Sequence, residues 1–121
     1  MILCITAATE GPAAGTDPRF GRAPFFAFAN SETGEIQIEP NGFISGSGGV
    51  GSKVGEFMAK REIDAVITGH VGPNAFRVLQ AAGIAVYESV APTVADALSE
   101  FNGGTLQKVT QPGASHAGSG R

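Results

Sequence analysis

Arg19 and Arg22 flank Phe20-Gly21 in one loop, and His70 lies between Gly69 and Gly72 in another. A third segment, Gly46-Ser47-Gly48-Gly49-Val50-Gly51, is mostly glycine. Guanidinium groups present planar forks of donors to anions. Glycine lets the backbone approach a bound group closely, and neighbouring free N–H groups form an anion cradle. An imidazole in such a setting can ligate a metal, donate to sulfide or phosphate, or cap the next helix. The candidate binding residues are therefore Arg19, Arg22, Gly46, Gly48, Gly49, Gly51, Gly69, His70 and Gly72, and His70 is the candidate metal ligand. One arginine is expected to hold its own loop and the other to lie near the ligand.

Other chemistries have weaker support. Gly46, Gly48 and Gly51 satisfy G-x-G-x-x-G, but the segment does not follow a strand of a parallel β-α-β unit, as a dinucleotide fingerprint requires. Cys4 sits within an apolar run, where a thiol behaves as a small hydrophobe. There is no Cys-x-x-Cys and no His/Cys set at zinc spacing. No nucleophile, base and acid can be named together, and Glu10 with Asp17 does not establish a catalytic pair. The expectation is a binding protein without enzymatic activity.

These loops must be held by regular elements. Ile2 to Thr6 is a continuous apolar run and reads as a strand buried on both faces. Pro24 to Ala29 reads as a second strand. Glu35-Ile36-Gln37-Ile38-Glu39 alternates strictly, which predicts an edge strand with one wet face. The connection at Asn30 to Gly34 is too short for a crossover, so these three strands form an antiparallel meander. Val50, Val54, Phe57 and Met58 make a helical stripe after the glycine run. Ala65 to Thr68 is a buried strand. Pro73 opens a second helix with the stripe Phe76, Leu79 and Ala82, ended by Gly83. Ile84 to Tyr87 is a further strand. Thr93 and Asp96 cap a third helix containing Val94, Ala97, Leu98 and Phe101.

The class is thus α/β, with a five-stranded mixed sheet in the order 3-2-1-4-5 flanked by helices; Leu106 to Val109 adds either a short strand or cover for the core. The right-handed crossover rule sets the fourth strand parallel to the first and beside it. Open α/β sheets bind ligands where strand order reverses. The loops Ala7 to Gly15, Gly46 to Gly51 and Gly69 to Gly72 should converge there.

The 121 residues suit one domain over 1–109, with a Gly/Ser-rich tail over 110–121 that has little to bury and is expected to be disordered. His116 lies in that tail and is assigned no role. A formal net charge of −3 gives no reason to expect nucleic acid or a membrane surface as partner. The single cysteine excludes an internal disulfide and fits a cytoplasmic location. Glycine, at 18 residues, is about twice its usual share and is concentrated in the candidate loops and the tail.

Three stretches together resemble the dinitrogenase iron–molybdenum cofactor biosynthesis family. They are Asp17-x-Arg19-Phe20-Gly21-Arg22-Ala23-Pro24-Phe25-Phe26, the glycine run into Val54-x-x-Phe57, and Asp64 through Gly69-His70-Val71-Gly72-Pro73-Asn74-Ala75-Phe76. The likeness covers about residues 1 to 109. It implies a ribonuclease H-like motif without nuclease chemistry. It also implies a non-enzymatic carrier for an iron–sulfur or iron–molybdenum type cluster or its precursor, working with cofactor-assembly proteins in nitrogen fixation. The family pattern has a histidine near the glycine run where this chain has Asn41-Gly42-Phe43-Ile44-Ser45, which leaves His70 as the imidazole near the crevice. The alternative is a regulatory or interaction module that binds phosphate or a nucleotide in the same cradle.

Overall fold

The computed structural model describes residues 1–44 and 49–111. Gly46 and Gly48, the tail from Pro112 and His116 lie outside the described residues. Within them the elements run β1 (Ile2–Ala7), β2 (Phe25–Asn30), β3 (Ile36–Pro40), α1 (Val50–Lys60), β4 (Ala65–Thr68), α2 (Pro73–Ala81), β5 (Ala85–Glu88), α3 (Val94–Asn102) and β6 (Gln107–Lys108).

The sheet order is β3-β2-β1-β4-β5-β6. The meander is present: β1 pairs antiparallel with β2 and β2 with β3. β4 lies parallel to β1, and β5 parallel to β4. The expected five strands are corrected to six, because Tyr87 and Glu88 pair antiparallel with Lys108 and Gln107. Two residues are too few to show a period in the sequence, and β6 holds its place through the register of β5.

β1 alternates between two cores, as a strand buried on both faces must. Cys4 points with Phe26, Phe28, Val66 and Val86 toward α1 and α2. Leu3 and Ile5 point with Ala27, Ala29 and Ile67 toward α3. On α1 the stripe is real: Val50, Val54 and Met58 are buried, and Phe57 stacks on Phe26 at 6.2 Å between ring centroids. Burying each such aliphatic side chain stabilises the fold by about 1.5–3 kcal/mol. On α2 the buried residues are Ala75, Phe76 and Leu79. Ala82, expected in that stripe, is the exposed C-cap, and Gly83 turns the chain at φ +76°.

α1 and α2 pack closely because α1 has glycines one turn apart on their contact. A Cβ on Gly51 would lie 3.2 Å from Ala75 Cβ, and one on Gly55 would lie 3.0 Å from Val78 Cγ1. The two helices therefore start side by side. Among the described residues no helix is long and apolar enough to cross a membrane.

Candidate functional site

A cleft of about 390 Å³ opens at the C-terminal ends of β1 and β4, on the face covered by α1 and α2. Three loop segments line it: Arg19-Phe20-Gly21-Arg22, Gly49 to Ser52, and His70 with Gly72 to Ala75. Of the sequence candidates, Arg19, Arg22, Gly49, Gly51, His70 and Gly72 are brought together there. Gly69 is not part of the lining.

The loop Ala7 to Gly15, expected at the same crevice, is elsewhere. Val94 N–H donates to Ala14 O at 2.9 Å, and Gly15 bridges to Thr93, so this segment lies against the start of α3 on the opposite face. Only its continuation from Asp17 crosses to the cleft. The sequence defines the connection but not the face of the sheet to which its first half returns.

Both helices that begin at the cleft have bare N-termini. α1 starts at Gly49, in the left-handed region at φ +67°, with no capping side chain and no acid in its first turn. α2 starts at Gly72 with Pro73 at its first position, again without a side-chain cap or an acid. The first intrahelical bonds are Lys53 N–H to Gly49 O and Phe76 N–H to Gly72 O, both 3.0 Å. The N–H groups of Val50, Gly51, Ser52, Asn74 and Ala75 precede those bonds and have no carbonyl within their own helix to meet. By contrast, Thr93 Oγ1 accepts from Asp96 N–H at 3.1 Å and Asp96 stands in the first turn of α3. This chain caps its helix away from the cleft and leaves two uncapped at it.

Gly72 sharpens the point. Its φ is −72°, and a Cβ there would meet nothing within 4 Å. Neither backbone conformation nor packing demands glycine. Its effect is to leave the start of α2 open.

Both arginines have partners within the chain. Arg19 lies on the rim with its side chain 62% exposed, while its partner Asp17 is buried. Arg19 Nε donates to Asp17 Oδ1 at 3.0 Å and Nη2 to Oδ2 at 2.8 Å, and the Arg19 backbone N–H adds a bond to Oδ1 at 2.9 Å. Arg22 donates from Nη1 to Ile44 O at 3.1 Å, on the chain leading toward the glycine run. His70 is half-buried, and its carbonyl accepts from Phe20 N–H at 3.3 Å, which joins the two loops.

The guanidinium of Arg19 holds the Asp17 carboxyl below the usual carboxylate range. A carboxylate favoured by folding stabilises the native state above its unfolded pKa, about 3.9, and loses that contribution as pH falls through the lower folded value. Asp17→Asn should therefore unfold at lower temperature than the parent at neutral pH. The gap should narrow as the pH drops below about 4, followed by thermal melts across pH. A gap that stays constant with pH would separate Asp17 from this role.

Three polar residues brace the cleft through bonds that the sequence does not announce. Asn41 is buried, donates from Nδ2 to Gly21 O at 3.0 Å and Ala23 O at 2.8 Å, and accepts from Phe43 N–H at 2.8 Å. Thr6 and Thr68, at the ends of β1 and β4, share a buried hydrogen bond of 2.7 Å, and Thr6 also donates to Asp17 O. Asn74 lines the cleft and accepts from Arg77 Nη2.

Among the described residues no three His, Cys, Asp or Glu side chains gather to hold a metal ion. Cys4 is fully buried in the α1/α2 core, and desolvation pushes its thiol well above the ordinary range, so it offers no thiolate to the cleft. The donor set is main-chain N–H with cationic side chains. Such a set fits a preformed anion held electrostatically rather than a metal captured by protein ligands.

Comparison with known proteins agrees with this architecture. An uncharacterized protein of Methanocaldococcus jannaschii is 32% identical over 94 residues, covering 75% of this chain and 80% of that protein. The apo form of the orange protein from Desulfovibrio gigas superposes with a TM-score of 0.87 at 34% identity, over 93% of this chain and 95% of that chain. The NMR structure of a NifB candidate from Thermotoga gives a TM-score of 0.81 at 29% identity, over 95% and 98% of the two chains. A family model described as dinitrogenase iron-molybdenum cofactor matches residues 1–104. With residues 1–104 matched, this protein belongs to the dinitrogenase iron-molybdenum cofactor family.

Proposed function

We propose that the chain is a non-enzymatic carrier for an anionic iron–sulfur or iron–molybdenum type cluster, or its precursor, in cofactor assembly. The observation that supports this most is the pair of uncapped helix starts facing one cleft beside Arg19 and Arg22. Two positive helix ends, with N–H groups that have no partner within their own helix, attract negative charge, and an anion held without covalent ligands can be handed on. Val50 to Ser52 and Asn74 to Ala75 would supply N–H donors, Arg22 a charged contact, and His70 a donor or a single metal ligand at the wall. The ribonuclease H-like motif belongs to the same reading, on the strength of the β3-β2-β1-β4-β5 core.

Anaerobic titration with isolated iron–molybdenum cofactor, followed by its visible absorption, should reach a stoichiometric complex. Arg22→Ala should weaken it about tenfold, the worth of one charge-assisted hydrogen bond. His70→Ala should weaken it less. Failure of the wild-type chain to take up the cofactor would refute the reading.

The lack of a metal-ligand cluster among the described residues also favours a second reading, a module for phosphate or a nucleotide in the same cleft. In that case metal-free phosphate compounds raise the melting temperature, since a ligand that binds only the native state stabilises it.

A further inference from the structure

A second surface, remote from the cleft in composition, points to a partner. The sheet is covered unequally: α1 and α2 lie on one face, and α3 is the helix of the described residues on the other. Among the described residues β3 is an edge strand, with β2 on one side and no strand on the other. Its register opposes Ile38 to Ala27 and Ile36 to Ala29, so both isoleucines stand on the α3 face. Its polar alternation points the other way, where Glu39 forms a bidentate pair with Arg61 at the end of α1, both bonds 2.8 Å. The apolar side of the alternation is thus on the thinly covered face. Ile36 is 36% exposed. Ile36 and Ile38 border a groove of about 590 Å³ completed by Glu10, Pro12, Ala14 and Val94.

Charge defines the occupant. The segments forming this groove, Thr9 to Gly15, β3 and α3, contain no lysine or arginine; they carry Glu10, Asp96 and Glu100, besides Glu39, which Arg61 neutralises on the other face, and Glu35 directly precedes β3. The basic side chains of the described residues lie on the cleft loops, α1 and its C-cap Arg61, α2 and β6. A second copy is a poor occupant. The same segments of a second copy bring no lysine or arginine to meet Glu10, Glu35 and Asp96.

We propose that the β3 edge accepts an extended segment of a different protein, one alternating apolar and basic residues, as an added antiparallel strand. Main-chain hydrogen bonds to β3 would supply affinity. The apolar residues of the segment would enter the groove beside Ile36 and Ile38, and its basic residue opposite Glu35 would meet that carboxylate, while Glu39 stays paired with Arg61. Such a partner docks without obstructing the cleft, so the proposal stands whether or not the cleft holds a cluster.

The probe is a blocked peptide containing Lys-Val-Thr-Val-Lys, titrated into the isotopically labelled full chain. The largest amide shifts should fall on Ile36 to Glu39 and around Val94, with the cleft unperturbed. Replacing both peptide lysines by glutamate should remove binding. Glu35→Lys should weaken the lysine peptide about fivefold, the upper worth of one cross-strand charge pair. Ile36→Lys, a half-exposed position where the fold is expected to survive, should weaken it further, with the melting temperature recorded alongside. Shifts confined to the cleft, equal binding of the acidic peptide, or no binding would overturn the proposal. So would sedimentation showing a dimer that Ile36→Lys dissociates, since that would assign the edge to a second copy.

Discussion

Gly69→Ala should destabilise the chain by about 3 kcal/mol, the upper part of the range for overpacking a tight contact. A Cβ on Gly69 would sit 2.6 Å from Pro18 Cβ, 2.8 Å from Pro18 Cα and 3.1 Å from Pro18 O. Those are ring and backbone atoms that cannot swing aside. Nor can the loop retreat cheaply. Asp17 N–H donates to Thr6 O at 2.9 Å, and Arg19 forms a parallel bridge with His70. Denaturant unfolding measures the loss, and Gly72→Ala serves as control, because its new methyl meets nothing within 4 Å. Near-neutral behaviour of Gly69→Ala would mean that the Asp17–Arg22 loop is loosely held, and that the cleft is not pre-shaped.

Gly72→Asp should raise stability and abolish binding together. Aspartate at this position supplies the cap that α2 lacks and a negative charge at the positive end of the helix. The two effects together are worth about 1 kcal/mol. The same carboxylate would occupy the N–H groups of Asn74 and Ala75 and place a negative charge in the cleft. Affinity for an anionic cluster should fall about a hundredfold, equivalent to roughly 2.7 kcal/mol from one lost charge-assisted interaction and one new repulsion. A melting curve and an anaerobic titration on the same sample read both. A variant that is more stable and still binds fully would show that α2's N-terminus takes no part. The opposed signs are what a site kept open at the expense of stability should give.

Much of this architecture is legible in the residues. The strict alternation from Glu35 to Glu39 gives an edge strand, and the short Asn30–Gly34 connection makes it antiparallel. Thr93 with Asp96 marks the start of α3, and Gly72-Pro73 the start of α2. What the alternation does not give is which face of β3 is covered. The polar side finds Arg61, and the isoleucine side is left half open, a result of where α1 ends. Arg19 is equally informative. Its spacing from Asp17 permits a local ion pair, but only the burial of Asp17 turns that pair into a brace for the cleft. Gly51 and Gly69 read as cradle residues in sequence. Their close contacts with Ala75 and Pro18 give each a packing reason as well; Gly49 and Gly72 have no such contact, and of these two only Gly49 has a positive φ. Asn41 was legible only as the lack of a histidine, because its partners, Gly21 O and Ala23 O, are remote in the chain.

The central claim is that main-chain donors at the starts of α1 and α2 receive the negatively charged cargo. The direct measurement is an amide-resolved NMR titration of the full chain with isolated iron–molybdenum cofactor under anaerobic conditions. The account predicts that shifts or broadening are largest at Val50, Gly51, Ser52, Asn74 and Ala75, with Arg22 and His70 next. Changes centred instead on α3 or the Thr9–Gly15 segment, with those amides still, would contradict it.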